Sequence, residues 1–215
     1  MKTIHVNPSN PEQNLLQQAA DVILDDGIIA YPTETIYGLG ANALSNFAVQ
    51  RVFDVKGRDR KKPILVIIKN RNQLEGLVDH IPSTAEKLMD AFWPGPLTII
   101  FKASPHVNPI LMGLGGGLGI RIPNNQICLK LLELCNVPLT STSANLTGQN
   151  SPLSIADVQE AFQNKLDLYI DGGISSNRIP STVLDMTMER PVIRRRGRID
   201  KASIEKVIGA IMDEN

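Results

Sequence analysis

The stretch PILVIIK, residues 63–69, is a continuous apolar run that is rich in β-branched residues. Such a run is typical of a strand buried on both faces, whereas a half-buried strand alternates apolar and polar residues. A strand of this kind needs helices on either side of its sheet. The stretch therefore predicts an α/β protein, and the flanking sequence has to supply the covering helices.

An amphipathic helix is predicted within residues 7–27. Ser9 or Asn10 can cap it, Pro11 suits its first turn, and Gly27 stops it. Its apolar stripe consists of Leu15, Leu16, Ala19, Ala20, Ile23 and Leu24.

Helices and strands interleave along the rest of the chain. Further helices are predicted over residues 46–57, 71–78, 83–92, 125–135, 154–163 and 201–212. Further strands are predicted over residues 27–31, 97–103, 118–123, 138–142, 166–170, 181–186 and 191–196. No internal repeat or linker interrupts this order. It predicts one α/β domain over residues 1–215 with a mostly β-centred core.

The basic residues are unevenly distributed, although 22 Lys and Arg balance 22 Asp and Glu. A net charge of zero gives no global field that would steer the protein to nucleic acid. Residues 56–62 hold five Lys or Arg and residues 190–201 hold six, which together are half of all basic residues. If these two segments converge in space, they form a local anion site.

The cysteines and the first residues indicate a cellular compartment. Cys128 and Cys135 lie on one face of a predicted helix, too far apart along it for a disulfide, so a buried reduced pair is expected. The first residues lack an apolar signal-peptide region, and no run approaches the roughly 18 apolar residues of a membrane span. These features predict a cytoplasmic protein.

Several familiar catalytic patterns are missing from the sequence. The glycine-rich GLGGGLG, residues 113–119, lacks the Lys-Ser/Thr of a P-loop and the spacing of a dinucleotide-binding loop. The three histidines, His5, His80 and His106, are scattered and mark no metal site. No G-x-S-x-G hydrolase elbow is present.

Loops rich in hydroxyl groups adjoin three predicted strands. PTET (32–35) and STSAN (141–145) each follow a strand, and IPSTV (179–183) precedes one. Each loop taken alone is most simply a turn or a helix cap. Arg121 lies within an apolar strand, where an unpaired charge costs several kcal/mol. It forms either a structural salt bridge or a bidentate clamp for a carboxylate, and the sequence leaves both open.

Eight short motifs occur in a specific order along the chain. They are YPTETIYGLG (31–40), KGR with KKPILV (56–58 and 61–66), FWPGPLT (92–98), GIRIP (119–123), STSANLTG (141–148), DGG (171–173), PSTVLD (180–185) and RRRGRI (194–199). In this order they resemble the threonylcarbamoyl-AMP synthase family, also called Sua5/YrdC/TsaC, over about residues 10–200. The chain resembles the short form of that family, without an extra C-terminal domain.

The resemblance implies a fold, an activity and partners. The fold would be a twisted open mixed sheet with flanking helices and a deep basic cavity. Members make L-threonylcarbamoyladenylate and pyrophosphate from L-threonine, bicarbonate or CO2, and ATP with Mg2+. Partner proteins then transfer the group to adenosine 37 of tRNA. No contact with a membrane is implied.

The resemblance also implies roles for particular residues. Thr35, Arg121, Ser141 and Ser181 would lie at the threonine site. Lys56, Arg58, Lys62, Ser143, Asn145, Ser151 and Arg195 would surround the ATP. Neither a protein nucleophile nor a metal-ligating side chain is implied, because positioning and electrostatics can carry such a reaction.

Two positions depart from the family pattern. Ile67 stands where many members carry His near the threonine side chain, and Gly117 stands where many carry Thr near the ATP. These departures predict weaker selectivity for threonine and altered affinity for ATP. The preserved Ser143-Ala144-Asn145 and Lys62-Pro63-Ile64 favour the synthase branch over a related branch without a settled substrate.

Two other functions compete with the synthase. The first is a double-stranded RNA or tRNA-binding module of the same fold without synthase activity, which could grip phosphates with its basic segments. Aromatic residues make up only 4% of the chain, which disfavours base stacking. The second is a carbamoyl-adenylate site like that of hydrogenase maturation proteins, where the domain normally sits in a far larger chain.

Overall fold

The computed structural model describes residues 2–113, 115–175 and 179–214. Its strands are β1 (Thr3–His5), β2 (Ile29–Tyr31), β3 (Gly38–Gly40), β4 (Leu65–Ile67), β5 (Leu97–Lys102), β6 (Gly117–Arg121), β7 (Leu139–Ser143), β8 (Leu168–Asp171), β9 (Thr182–Asp185), β10 (Val192–Arg195) and β11 (Met212–Asp213). Its α-helices are α1 (Gln13–Leu24), α2 (Asn46–Lys56), α3 (Ser83–Phe92), α4 (Gln126–Cys135), α5 (Ile155–Phe162) and α6 (Lys201–Ile208).

The strands form one mixed sheet in the order β1-β8-β2-β3-β7-β4-β6-β5-β9-β10-β11. β7 joins the two halves, because it pairs antiparallel with β3 on one side and with β4 on the other. β4 and β6 run parallel, with Ile67 opposite Arg121. The predicted class, a mixed α/β fold, is confirmed, and its central strands carry several of the predicted site residues.

Both faces of the sheet are covered, as the stretch 63–69 predicts. Val66 and Ile68 belong to one hydrophobic core, whereas Ile67 between them belongs to a second. Phe53 of α2 lies in the first core, and Leu131 of α4 lies in the second. Successive side chains of a strand point to opposite faces, so two cores require a helix layer on each side.

The start of α1 differs from the prediction. Its N-cap is Glu12 rather than Ser9 or Asn10, and the Glu12 side chain makes no cap hydrogen bond. The backbone N–H groups of Ser9 and Asn10 instead donate to Asn7 Oδ1 at 2.9 and 3.3 Å, which forms a turn before the helix. Pro11 therefore precedes the helix.

The end of α1 also differs, because the helix stops at Leu24 and Gly27 lies beyond it. The Gly27 N–H donates to the Val22 carbonyl at 2.8 Å, and a Cβ at Gly27 would meet that oxygen at 2.6 Å. Gly27 thus permits a close approach of backbone to backbone after the helix rather than ending the helix itself.

The strand β3, with the sequence GLG, was not predicted, because glycine has little intrinsic preference for strands. The reason for glycine here is a tertiary contact. A Cβ at Gly40 would lie 2.7 Å from Cε1 of the buried Tyr31 ring. Glycine in a strand often marks such a close approach.

Two further predictions need correction. Residues 71–78 form only a short 310 turn over Arg71–Leu74, after which Glu75 is extended and Gly76 takes a φ of 81°. The last helix ends at Ile208, where Gly209 takes a φ of 84°, and Met212–Asp213 then pairs with β10. Glycines with positive φ end both segments, because this geometry does not continue a helix.

The predicted cysteine state is confirmed, because Cys128 and Cys135 are both free and buried in α4. Burial raises the pKa of the Cys135 thiol to about 12. Within the described part of the chain, every helix is too short or too polar to span a bilayer.

Candidate functional site

A cavity lies against β6, β7 and the loop that follows β2. Its polar wall consists of Thr33, Thr35, Arg58, Arg121, Ser141, Thr142, Ser143, Ser181 and Arg195. Ile67 forms part of its apolar wall. The structure thus brings together seven of the predicted site residues, namely Thr35, Arg58, Arg121, Ser141, Ser143, Ser181 and Arg195. These residues are distant in sequence, and the order of the central strands makes them neighbours.

Three arginines give the cavity an excess of positive charge. The Arg195 side chain is partly open to solvent, yet the surrounding protein and then the charges of Arg121 and Arg58 lower the pKa of its guanidinium. Arg58 donates through Nε to the Lys62 carbonyl and through Nη2 to the Pro63 carbonyl, both at 2.9 Å. These contacts hold Arg58 on the wall. One arginine from each basic segment therefore reaches the cavity, together with Arg121.

Arg121 forms the structural salt bridge and also lines the cavity. Its Nη1 donates to Glu34 Oε1 in a buried ion pair, with 6% and 12% of the two side chains exposed. Arg121 also lines the cavity, and a guanidinium has several further N–H donors. The other carboxylate oxygen, Glu34 Oε2, is buried and has no hydrogen-bond partner among the described residues. The salt bridge therefore exists, and it leaves donors of Arg121 for a ligand.

The loop PTET holds its hydroxyls in a tight arrangement. Thr33 Oγ1 lies 2.9 Å from Thr35 Oγ1 and donates to the Ile36 carbonyl at 2.7 Å. It also accepts the backbone N–H groups of Thr35 and Ile36 at 3.1 and 3.2 Å. Such a hydroxyl-centred turn fixes the loop locally. The loop PTET is thus both a hydrogen-bonded turn and a part of the cavity wall.

Ser181 and Arg195, which also line the cavity, are hydrogen-bonded to each other. Arg195 Nη2 donates to both the Ser181 hydroxyl and the Ser181 carbonyl at 3.0 Å. Ser181 Oγ also lies 2.9 Å from Oγ1 of Thr98, a residue that is fully buried in β5. The hydroxyl of Ser181 is therefore held in place from two sides.

Lys56 lies behind the cavity rather than on its wall. Only 3% of this residue is exposed, and its Nζ donates to the carbonyls of Ser143 and Asn145 at 2.5 and 2.6 Å. Burial, followed by the charge of Arg58, lowers the pKa of its amine to about 7. In this arrangement Lys56 ties the end of β7 and the following loop to α2.

Three other predicted residues lie outside the cavity. Asn145 and Ser151 line a separate groove. Its other lining residues are Ala144, Leu146, Gln149, Asn150, Pro152, Leu153, Asp157, Glu160 and Ala161. Asn145 Nδ2 donates to the Leu146 and Gln149 carbonyls, and its buried Oδ1 has no partner in the described part of the chain. Lys62 is exposed on the loop after α2.

The two departures from the family pattern fall in different places. Ile67 is fully buried and lines the cavity, so its effect on a ligand would be direct. Gly117 lies at the start of β6 and opposite Lys102, outside the cavity wall. A Cβ at Gly117 would meet Ile100 Cγ2 at 2.6 Å, so close packing within the sheet explains this glycine.

Sequence reasoning missed Thr33, Glu34 and Thr98 as parts of the site. A signal existed for Glu34, because a lone acid within PTET and a lone arginine within an apolar strand are natural partners. Thr33 and Thr98 act on the hydroxyls of Thr35 and Ser181, and those contacts require the folded chain.

Fold and site together define an open α/β protein with a hydroxyl-lined, positively charged cavity that suits anionic ligands. The family model Sua5/YciO/YrdC, described as "Telomere recombination", matches residues 21–197. The chain belongs to this family.

Relatives and a solved structure agree with that assignment. A threonylcarbamoyl-AMP synthase of Pyrococcus abyssi is 42% identical over 93% of this chain and 59% of its own length. One of Bacillus subtilis is 37% identical over 91% of this chain and 57% of its own. The crystal structure of P. abyssi Sua5 complexed with L-threonine superposes with a TM-score of 0.96 at 41% identity, covering 100% of this chain and 63% of that one. The chain thus spans about three fifths of these proteins.

Proposed function

We propose that residues 1–215 form a single domain that acts as a threonylcarbamoyl-AMP synthase. It would join L-threonine, bicarbonate or CO2, and ATP into L-threonylcarbamoyladenylate and pyrophosphate, for modification of adenosine 37 in tRNA. The observation that carries this proposal is the convergence of Arg58, Arg121 and Arg195 on one hydroxyl-lined cavity. The synthase names of the relatives agree with it.

The proposed chemistry has two steps whose needs match this cavity. The neutral amine of threonine attacks the carbon of CO2, an N–C bond forms, and an N–H proton is released to water. A carbamate oxygen then attacks the α-phosphorus of ATP while the bond to the bridging oxygen breaks and pyrophosphate leaves. The reactants of the second step are both anionic, so guanidinium groups that lower their repulsion would speed it. Positioning alone can lower a barrier by roughly 7–11 kcal/mol.

The residues on the cavity wall support a division of roles. Arg121, Thr35, Ser141 and Ser181 would bind the threonine, whose carboxylate suits a planar guanidinium. Arg58, Arg195 and Ser143 would bind the polyphosphate. Lys56, Lys62, Asn145 and Ser151 remain on the proposed nucleotide side. Lys56 would serve it by holding the Ser143–Asn145 backbone, and the groove that Asn145 lines adjoins that same segment.

Mg2+ fits this scheme as part of the substrate MgATP. No group of three or more His, Cys, Asp or Glu side chains within the described ranges is arranged to hold a metal. The acidic residue Glu34 already forms an ion pair with Arg121 of the cavity wall. The phosphates would therefore carry the ion, and the protein would contact the phosphates. Transfer proteins and tRNA are the partners that this function requires downstream.

The test is whether pyrophosphate release from MgATP requires both L-threonine and bicarbonate. We expect release only with all three present, and the Arg194→Ala variant, altered at a paired arginine outside the cavity, should behave like the natural protein. Release that ignores threonine would refute the assignment. Retardation of a duplex RNA in the absence of any release would instead support the RNA-binding module, and that binding should weaken with salt.

A further inference from the structure

Two hydroxyls on the cavity wall, those of Thr35 and Ser181, each have a second hydroxyl behind them. Thr33 stands behind Thr35, and the fully buried Thr98 stands behind Ser181. A hydroxyl has one proton to donate and two lone pairs to accept with. The partners of each pair therefore limit what its oxygens can still donate or accept.

In the first pair the hydrogen bonds of Thr33 are already complete. Its proton goes to the Ile36 carbonyl at 2.7 Å, and its two lone pairs accept the backbone N–H groups of Thr35 and Ile36 at 3.1 and 3.2 Å. The 2.9 Å contact between the two hydroxyls therefore assigns no direction to the Thr35 proton. Thr35 can either donate to a ligand or accept from it.

In the second pair the direction is determined by the burial of Thr98. Among the residues that the structure describes, Ser181 Oγ is the only hydrogen-bond partner of Thr98 Oγ1. If Ser181 donated to Thr98, the buried Thr98 proton would have no acceptor, which costs about 1–3 kcal/mol. Thr98 therefore donates to Ser181. Ser181 Oγ also accepts from Arg195 Nη2 at 3.0 Å, which uses its second lone pair. What Ser181 retains toward the cavity is its proton.

We propose that Thr98 is a positioning residue that fixes the polarity of Ser181, so that Ser181 only donates toward the cavity. Ser181 then favours an anionic oxygen of the ligand and disfavours an N–H group at the same place. This inference rests on the proposed function and specifies how that site binds the carboxylate of an α-amino acid.

The surrounding charge agrees with this polarity. Arg195 adjoins Ser181, so an anionic oxygen there meets a hydroxyl proton beside a guanidinium. Arg121 lines the same cavity, so one carboxylate can contact both Arg121 and the Ser181 hydroxyl.

The first experiment compares two ligands across matched variants at Thr98. Calorimetry would measure the affinities of L-threonine and L-threoninamide, whose amide places N–H donors where the carboxylate has acceptors. We expect Thr98→Val, which removes the buried hydroxyl, to narrow the preference for L-threonine by about fivefold, since one hydrogen bond contributes about 1 kcal/mol. Thr98→Ser, which keeps the hydroxyl, should preserve the preference within about twofold.

A purely structural role of Thr98 would give a different result. Both ligands would then weaken equally in Thr98→Val, or Thr98→Ser would behave like Thr98→Val, and either outcome overturns the proposal. Thermal unfolding of each variant would separate lost stability from lost preference.

The second experiment needs neither ligand nor activity. Neutron diffraction from crystals exchanged into D2O would locate the hydroxyl deuterium atoms. We expect one between Thr98 and Ser181 that is bonded to Thr98, and one on Ser181 that points into the cavity. A Ser181 deuterium directed at Thr98 would overturn the proposal. If the protein failed to bind L-threonine, the proposed function would fail, and the neutron result would still decide the polarity.

Discussion

Arg194 and Arg195 are neighbours in sequence, but they have different hydrogen-bond partners and opposite pKa shifts. Arg194 donates to Asp185 at 2.8 and 2.9 Å and to Glu214 at 2.8 Å, and these hydrogen bonds raise the pKa of its guanidinium. Among the residues that the structure describes, Arg195 donates only to neutral atoms of Ser181, and the pKa of its guanidinium is lowered. A bulge in β10 at this point lets consecutive side chains reach different partners.

The difference separates two uses of arginine. At the edge of the sheet, carboxylates of the chain itself neutralise the guanidinium, so charge contributes to stability. At the cavity, Arg58 and Arg195 lack a carboxylate partner among the described residues, and neighbouring arginines repel Arg195. A ligand anion would supply the missing negative charge. Binding of such an anion would thus offset the electrostatic repulsion between the arginines.

The largest expected effect comes from Arg121, which pairs with a carboxylate of the chain, Glu34, and also lines the cavity. Arg121→Ala should weaken threonine binding roughly 30- to 1000-fold, because it removes a charge-assisted contact worth about 2–4 kcal/mol. ATP binding without threonine should remain nearly unchanged. The variant should also lose about 3–5 kcal/mol of stability, because Glu34 becomes a buried unpaired charge. Calorimetry with each ligand and chemical denaturation would measure these changes.

The double variant Arg121→Ala/Glu34→Ala is the matched control for this prediction. Removing the carboxylate as well should restore much of the stability and none of the threonine affinity. If the double variant regained threonine binding, Arg121 would have only a structural role.

The second prediction compares the alanine variants of the two neighbouring arginines. Arg195→Ala should weaken ATP binding roughly 10- to 100-fold with little change in stability, because no carboxylate in the described ranges pairs with Arg195. Arg194→Ala should lower the free energy of unfolding by about 1–3 kcal/mol, because the buried Asp185 loses its charged donors. ATP affinity should be unchanged in that variant. Equal loss of ATP binding in both variants would contradict the distinction between the two arginines.

The third prediction concerns the uncharged wall of the same cavity. Serine differs from threonine only in lacking the methyl group, so selectivity over serine should depend largely on contact of the apolar wall, which includes Ile67, with that methyl group. Such contacts contribute only about 1–3 kcal/mol, and serine should be a measurable but weaker substrate. Pyrophosphate release with each amino acid would measure the ratio. A serine rate below about one-thousandth of the threonine rate would contradict this weak discrimination.

The smallest effect concerns Lys56, a buried cation without a carboxylate partner among the described residues. Its pKa is about 7 in the folded protein against an ordinary 10.5. Between these values the unfolded chain binds a proton that the folded chain does not, so stability should rise with pH above 7. We expect about 1–2 kcal/mol more gain between pH 7 and 9 for the natural protein than for Lys56→Met, measured by denaturation. Parallel pH profiles would show that Lys56 stays charged.

Helices with a clear apolar stripe and definite end signals were predictable to within a residue or two. α3 at Ser83–Phe92 matches its prediction, and α4 begins at Gln126 after the N-cap Asn125. The strand β3 and the start of α1 were not predictable, because Gly40 accommodates the Tyr31 ring and Asn7 binds the backbone of Ser9 and Asn10. Such contacts depend on neighbours that local propensity does not specify.

The site shows the same division. Arg121 was identifiable because a charge in an apolar strand needs a partner, but its partner Glu34 was not identified. Lys56 was expected beside phosphates as part of a basic segment, whereas its amine donates hydrogen bonds to two backbone carbonyls. Sequence indicates which residues are chemically able to act, and only the fold determines which atoms they reach.

The sequence by itself determined the α/β class, the buried central strand and the set of arginines and hydroxyls available for an anion site. These follow from periodicity and composition, which are local properties of the chain. The tertiary structure decided that Arg58 and Arg195 reach the cavity while Arg194 does not, and that Thr33 and Thr98 stand behind Thr35 and Ser181. It decided this because strand order and a single bulge bring together residues far apart in sequence, and hydrogen-bond partners are fixed only by that proximity.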